Sequence, residues 1–131
     1  MDVYLWYEML AKPLWAPPSW IFGPVWSGLY VIIAITFGYV GYGYITKKYN
    51  RQIALPFALN LIANVLYTPL MFTVHSILLA TLDILVVLGT LIWALMRMYP
   101  HARWVSLLNI PYLLWVVFAT FLQITILILN F

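Results

Sequence analysis

The chain of 131 residues contains no cysteine. That excludes a disulfide framework, a thiolate metal site and a cysteine nucleophile. Charge is nearly as scarce, at 7% of residues, against roughly 25% in soluble domains. Asp2, Glu8 and Asp83 are the three acids, and six Lys and Arg leave a formal net charge of +3. So small a surplus is weak evidence for any acidic partner, where the charges lie is more informative, and no nucleic-acid partner is expected. The opening residues MDVYLWYEML carry two acids and no basic leader, so no cleavable signal peptide is expected. His75 and His101 fall on opposite faces and cannot pair on a metal ion. Apolar surface, by contrast, is abundant: 66% of residues are hydrophobic and the mean hydropathy is +1.02. A soluble domain of this length could not cover that surface, so lipid is the solvent.

Four runs nearly free of charge, residues 20–45, 52–72, 76–97 and 104–131, follow an arm over residues 1–19. Each run has the roughly 20 residues that cross a hydrocarbon core about 30 Å thick. Backbone polar groups in lipid must be satisfied within their own segment, so the runs are predicted to be helices. The expected fold is one all-α membrane domain, a bundle of four transmembrane helices. Lys47, Lys48 and Arg51 lie in the first link and Arg97 and Arg103 in the third, whereas the arm carries only Lys12. The asymmetry predicts links 46–51 and 97–103 in the cytoplasm and both termini outside, in a multi-pass protein of a bacterial inner membrane.

The arm reads KPLWAPPSWIFGPVWSGLY over residues 12–30, with four prolines and three tryptophans. Stiff backbone and flat indoles suit a lid over a planar apolar ligand. Pro24, Pro56 and Pro69 sit near helix ends, where a missing N–H costs little. Pro111 interrupts the fourth run and should kink it there. Polar and aromatic residues fall into stripes at helical spacing: Phe22, Trp26 and Tyr30; Asn60, Asn64 and Thr68 with Tyr67 beside them; Asp83 among small residues; and Tyr112, Trp115, Ala119 and Gln123. Such faces should meet inside the bundle, around a cavity with aromatic walls and a few polar points. Asn60 and Asn64 could equally bridge helices. Trp6, Trp15, Trp20 and Trp104, near run ends, fit interfacial anchors as well as a site. Asp83 is either a proton or cation site or a carboxyl captured by neighbouring hydroxyls and amides. Ala34 and Gly38 form a small-xxx-small pair suited to close helix packing or dimerisation.

Residues 6–30, beginning Trp6-Tyr7 and continuing from Lys12-Pro13 through Leu29-Tyr30, resemble the WY…KPxWxPPxWxFGPVWxxLY signature of the TspO/MBR family (tryptophan-rich sensory protein/translocator protein). FALNLIAN at 57–64, ATLDILVV at 80–87 and PYLLWVVFAT at 111–120 are similar to later blocks of the family, in the same order. Three departures stand out. The family normally has five spans, and only Met1–Leu5 stand where one usually precedes the first block. Val65 replaces a Trp, and Gln123 stands where an Asn is usual.

The resemblance implies a membrane receptor or carrier for tetrapyrroles such as protoporphyrin IX or haem, or for sterols, with no cofactor required. It implies ligand contact from Trp15, Trp20, Trp26, Asn64, Tyr67, Trp115 and Ala119, and the stripes add Tyr30, Asn60 and Asp83 to the expected ligand-binding set. It also implies that Trp26 and Trp115 would carry any light-dependent porphyrin breakdown. The other alternative is a small ion-coupled exporter relying on Asp83. Expected partners are the bilayer, the tetrapyrrole or sterol, and a second copy of the chain covering the side left by the missing span.

Overall fold

The computed structural model describes residues 9–17 and 19–130; Trp6 and Pro18, the two acids of the opening segment and Phe131 lie outside the described residues. A short 3-10 turn, Ser19–Ile21, leads into α1 (Phe22–Ile45). Then come α2 (Arg51–Thr68) with a π-helical turn at Pro69–Thr73, α3 (Ile77–Met98), α4 (Arg103–Leu108) and α5 (Ile110–Asn130). Four of these segments are long and apolar enough to cross a membrane: Gly23–Ile45, Arg51–Met71, Ile77–Met98 and Ile110–Asn130. At most 33% of the residues in any span's most apolar stretch are buried, as expected when acyl chains cover the remainder. The protein is an all-α membrane bundle.

Helix ends follow local chemistry. Asn50 and Ser76 cap α2 and α3, their side chains accepting from Ile53 N–H and Leu79 N–H, each at 3.1 Å. α1 ends in a Schellman motif. Lys48 N–H reaches Gly43 C=O at 2.8 Å and Lys47 N–H reaches Tyr44 C=O at 3.1 Å. The pivot is Lys47, at φ 65°, a left-handed conformation usually left to glycine. Gly43 in the same turn has a different duty, since a Cβ there would overlap the Tyr49 ring. At the far end of α2, Pro69 has no N–H to return to Val65. There the helix widens, with Val74 N–H bonded to Pro69 C=O at 2.9 Å and Ser76 N–H to Leu70 C=O at 3.0 Å.

The fourth run does not kink at Pro111 itself. It breaks two residues earlier, at Asn109 (φ −87°, ψ 2°), separating six-residue α4 from α5. Proline's ring and missing N–H act on the preceding turn, and Pro111 takes the second position of a new helix, where neither matters. Asn109 fills the break. Its amide donates to Thr36 Oγ1 of α1 at 3.0 Å and to Val105 C=O at 2.8 Å.

α2 packs most extensively on α3, and α3 on α5, while α1 touches α2, α4 and α5 more sparingly. No Cα of α2 comes within 8 Å of one in α5, nor any of α1 within 8 Å of α3, so these are the diagonals of the bundle. The central core runs between them through Leu29, Ile33, Ala63, Ile84, Val87, Tyr112 and Val116. The expected close packing of Ala34 and Gly38 is not used within the chain: both are exposed, and a Cβ at Gly38 would meet nothing.

Two substitutions separate backbone strain from packing at the end of α1. Lys47→Gly should stabilise the protein by roughly 1 kcal/mol, because it relieves the left-handed conformation. Gly43→Ala should destabilise it by about 1–3 kcal/mol through overpacking against Tyr49. Thermal midpoints in mild detergent measure both, and opposite signs are the expected result.

Candidate functional site

In hydrocarbon, every hydroxyl and amide of a span must find a partner inside the protein. Five residues meet that demand with one directed chain of hydrogen bonds across the bundle axis. Tyr30 of α1 donates to Asn64 Oδ1 at 2.8 Å, and Asn64 Nδ2 donates to Tyr112 Oη at 2.7 Å. Tyr112 donates to Asn60 Oδ1 at 2.9 Å, and Asn60 Nδ2 donates to Val87 C=O at 2.8 Å and Thr90 Oγ1 at 3.2 Å. All four spans are joined. Tyr112 and Asn60 are both 0% exposed, so Asn60 presents no surface to a ligand as it stands. The i, i+4 spacing of Asn60 and Asn64 places both amides on the face of α2 that looks across the diagonal, where one phenol serves both.

A second bridge lies nearer the arm. Tyr67 donates to Gln123 Oε1, and Gln123 Nε2 reaches Ile77 C=O and Thr81 Oγ1, each at 3.3 Å. Gln123 thus ties α5 to α2 and α3. The arm crosses this end of the bundle, where Leu10 and Ala16 pack on the cluster of Met71, Ala80, Leu122 and Ile126. It is fastened by Asn130, which accepts from Ala11 N–H at 3.1 Å and donates to Ala11 C=O at 2.8 Å, a two-bonded mimic of backbone pairing.

The aromatic residues form two groups. Trp26 and Tyr30 lie side by side on α1, ring centroids 5.6 Å apart. Trp15 of the arm meets Phe118 edge-on at 5.7 Å, and Phe118 meets Trp115 at 5.5 Å. Trp26, Tyr67, Trp115 and Ala119 are all partly buried against the same central core. Trp15 and Trp20 remain 50% and 71% exposed, at the end where the arm lies. Asp83 lies on α3, where its carboxylate acts electrostatically on the Tyr112 phenol. No hydroxyl or amide captures it, and its Oδ2 is buried without a hydrogen-bond partner among the described residues.

Of the ten sequence-predicted residues, six thus fall into three connected sets: the amide–phenol chain, the α1 ring pair and the arm–α5 rings; Tyr67 joins the Gln123 bridge and Ala119 packs against the central core. Trp20 and Asp83 share no hydrogen bond or ring contact with those sets among the described residues. Four further bridging residues carried only a weak sequence signal. Thr36, Ser106 and Asn109 are isolated polar residues in apolar runs, and Tyr112 looked like one more aromatic in a stripe. A polar side chain in a span always needs a partner, and asking for it residue by residue would have flagged all four.

At the opposite end, the first and third links are packed together. Tyr39 and Tyr49 share a hydroxyl–hydroxyl bond of 2.7 Å, Lys48 Nζ donates to Tyr39 Oη at 3.1 Å, and Trp104 meets the Tyr39 ring at 4.9 Å. The bond to Tyr39 raises the Lys48 pKa, so its ammonium stays charged, while burial pushes the Tyr49 phenol up. Among the described residues no three His, Asp or Glu side chains could hold a metal ion.

Tyr112→Phe removes the hydroxyl that serves both amides at once. A loss of about 1–2 kcal/mol is expected, read as a fall in thermal midpoint in mild detergent. An unchanged midpoint would mean that Asn60 and Asn64 re-pair without it.

Comparison with known proteins agrees with this architecture. The chain is 34% identical over 125 residues to the tryptophan-rich protein TspO of Chlorobaculum tepidum, covering 95% of this chain and 78% of that one. It is 33% identical to protein CrtK of Rhodobacter capsulatus, again covering 95% and 78%. With the human translocator protein it shares 32% identity over 126 residues, covering 90% of this chain and 70% of that one. The TspO/MBR family matches across residues 1–129, and the chain belongs to that family.

Proposed function

We propose that this protein is a membrane receptor or carrier for a flat amphiphilic ligand, a tetrapyrrole such as protoporphyrin IX or haem, or a sterol. One observation carries the reading. Two aromatic groups from distant parts of the chain, Trp26–Tyr30 and Trp15–Phe118–Trp115, each set one indole, Trp26 and Trp115, against the same central core, and the second group includes Trp15 of the arm. Indole and phenol rings offer a planar π-system large stacking area and ask for few hydrogen bonds in return. On this reading Trp15, Trp20, Trp26, Tyr30, Tyr67, Trp115 and Ala119 contact the ligand. Asn60 and Asn64 act as positioning residues, holding Tyr30 and Tyr112 from behind. Asp83, with its buried Oδ2, supplies a polar point on α3. The sparing contact of α1 with its neighbours makes it the helix that yields when a ring system enters.

The ligand test is tryptophan-fluorescence quenching by protoporphyrin IX in detergent. Saturable quenching at micromolar concentration is expected, weakened several-fold by Trp26→Phe and by Trp115→Phe. Quenching that is unsaturable and indifferent to both changes would overturn the reading.

The basic end, with Lys47, Lys48, Arg51, Arg97 and Arg103, is proposed to face the cytoplasm of a bacterial inner membrane. Because the chain has no cysteine of its own, single cysteines can report the orientation. Ala11→Cys should react with an impermeant maleimide added outside spheroplasts, and Lys47→Cys only after lysis. The reverse pattern would invert the topology.

A further inference from the structure

Away from the aromatic groups, an apolar groove of about 350 Å³ opens between α1 and α2 near their basic ends. Phe37, Gly41 and Tyr44 line one wall and Arg51, Ala58 and Leu61 the other. Its volume lies in the range of small-molecule sites, roughly 300–1,000 Å³. Its depth runs from mid-helix residues to the first residue of α2, so a guest would pass from hydrocarbon to headgroup level.

Charge decides what the guest is. Lys47, Lys48, Arg51, Arg97 and Arg103 all lie at this end, and neither of its links contains an acid. Lys48 is engaged with Tyr39 at 3.1 Å, and Arg103 lies over the Tyr99 ring at 5.2 Å. Arg51 lines the groove itself and opens α2, so its guanidinium adds to the partial positive charge of that helix end. Guanidinium pairs with phosphate through two parallel N–H···O bonds. We infer that this groove is a binding site for an anionic phospholipid, one acyl chain lying along Phe37, Gly41 and Leu61 and the phosphate on Arg51. The site is separate from the proposed ligand pocket, since none of its lining residues belongs to the aromatic groups.

Gly41 makes the proposal easy to test, because a Cβ built there meets nothing within 4 Å. Leucine at that position starts from an unobstructed Cβ and adds three further carbons at the groove wall. The full chain in mild detergent would be titrated with dioleoyl-phosphatidylglycerol and, separately, dioleoyl-phosphatidylcholine, with retained lipid counted by native mass spectrometry. One phosphatidylglycerol per chain should be held several-fold more tightly than phosphatidylcholine. Arg51→Gln should weaken phosphatidylglycerol about fivefold, the equivalent of roughly 1 kcal/mol. Gly41→Leu and Ala58→Leu should each reduce retention of both lipids. Arg97→Gln, a charge of the same end outside the groove, should leave the preference intact. Thermal midpoints and protoporphyrin quenching should stay at parental values in all four variants, which separates this site from the ligand pocket. Equal retention of the two lipids would overturn the proposal. So would a preference lost equally in Arg97→Gln, or displacement of the phospholipid by protoporphyrin IX.

Discussion

The hydrogen-bond chain from Tyr30 through Asn64, Tyr112 and Asn60 to the carbonyl of Val87 is the constraint on which the bundle depends. Lipid offers apolar side chains no reason to leave it for one another, so helices associate through packing and polar contacts. Each bond in the chain donates in the same sense, so each polarises the next. The consequence is geometric. Tyr112 spans a diagonal that the α2 and α5 backbones never close to 8 Å, and its phenol sets both the width of the bundle and the rotation of the two helices.

Around that diagonal α1 packs more sparingly on its neighbours than α2 and α3 do on each other, and Trp26 of its Trp26–Tyr30 pair lies partly buried against the core. The arm is held at one end of the bundle, where Asn130 binds Ala11 by two bonds, Trp15 rests edge-on against Phe118 and Leu10 and Ala16 pack on the neighbouring cluster. The opposite end is built otherwise. Tyr39 bonds Tyr49 and Lys48 of the first link and meets Trp104, Tyr49 meets His101 of the third link, and the groove beside Arg51 opens at this end.

Particular residues show how far the chain could be read in advance. Run length and backbone satisfaction in lipid leave helices as the sole solution, so the four spans were legible from composition. The WxPPxW arm and the FALNLIAN and PYLLWVVFAT blocks carried the family, which the later matches show. Pro111 was legible as a break but not at its position, because the ring strains the turn before it and the helix yields at Asn109, where an amide can fill the gap. Ala34 and Gly38 suggested close approach, and the structure leaves both exposed. Small residues permit contact without demanding it.

Periodicity could assign Asn60, Asn64 and Tyr112 to inward faces, because face follows from the 3.6-residue turn alone. It could not say that these side chains meet one another, because that depends on crossing angles and on which helices are diagonal. The same holds for Asp83. Its place within a span follows from counting, whereas the lack of a hydrogen-bond partner for its Oδ2 among the described residues is decided by the folded bundle. Solvent preference is local and is written residue by residue; partnership in a bundle is a property of all four helices at once.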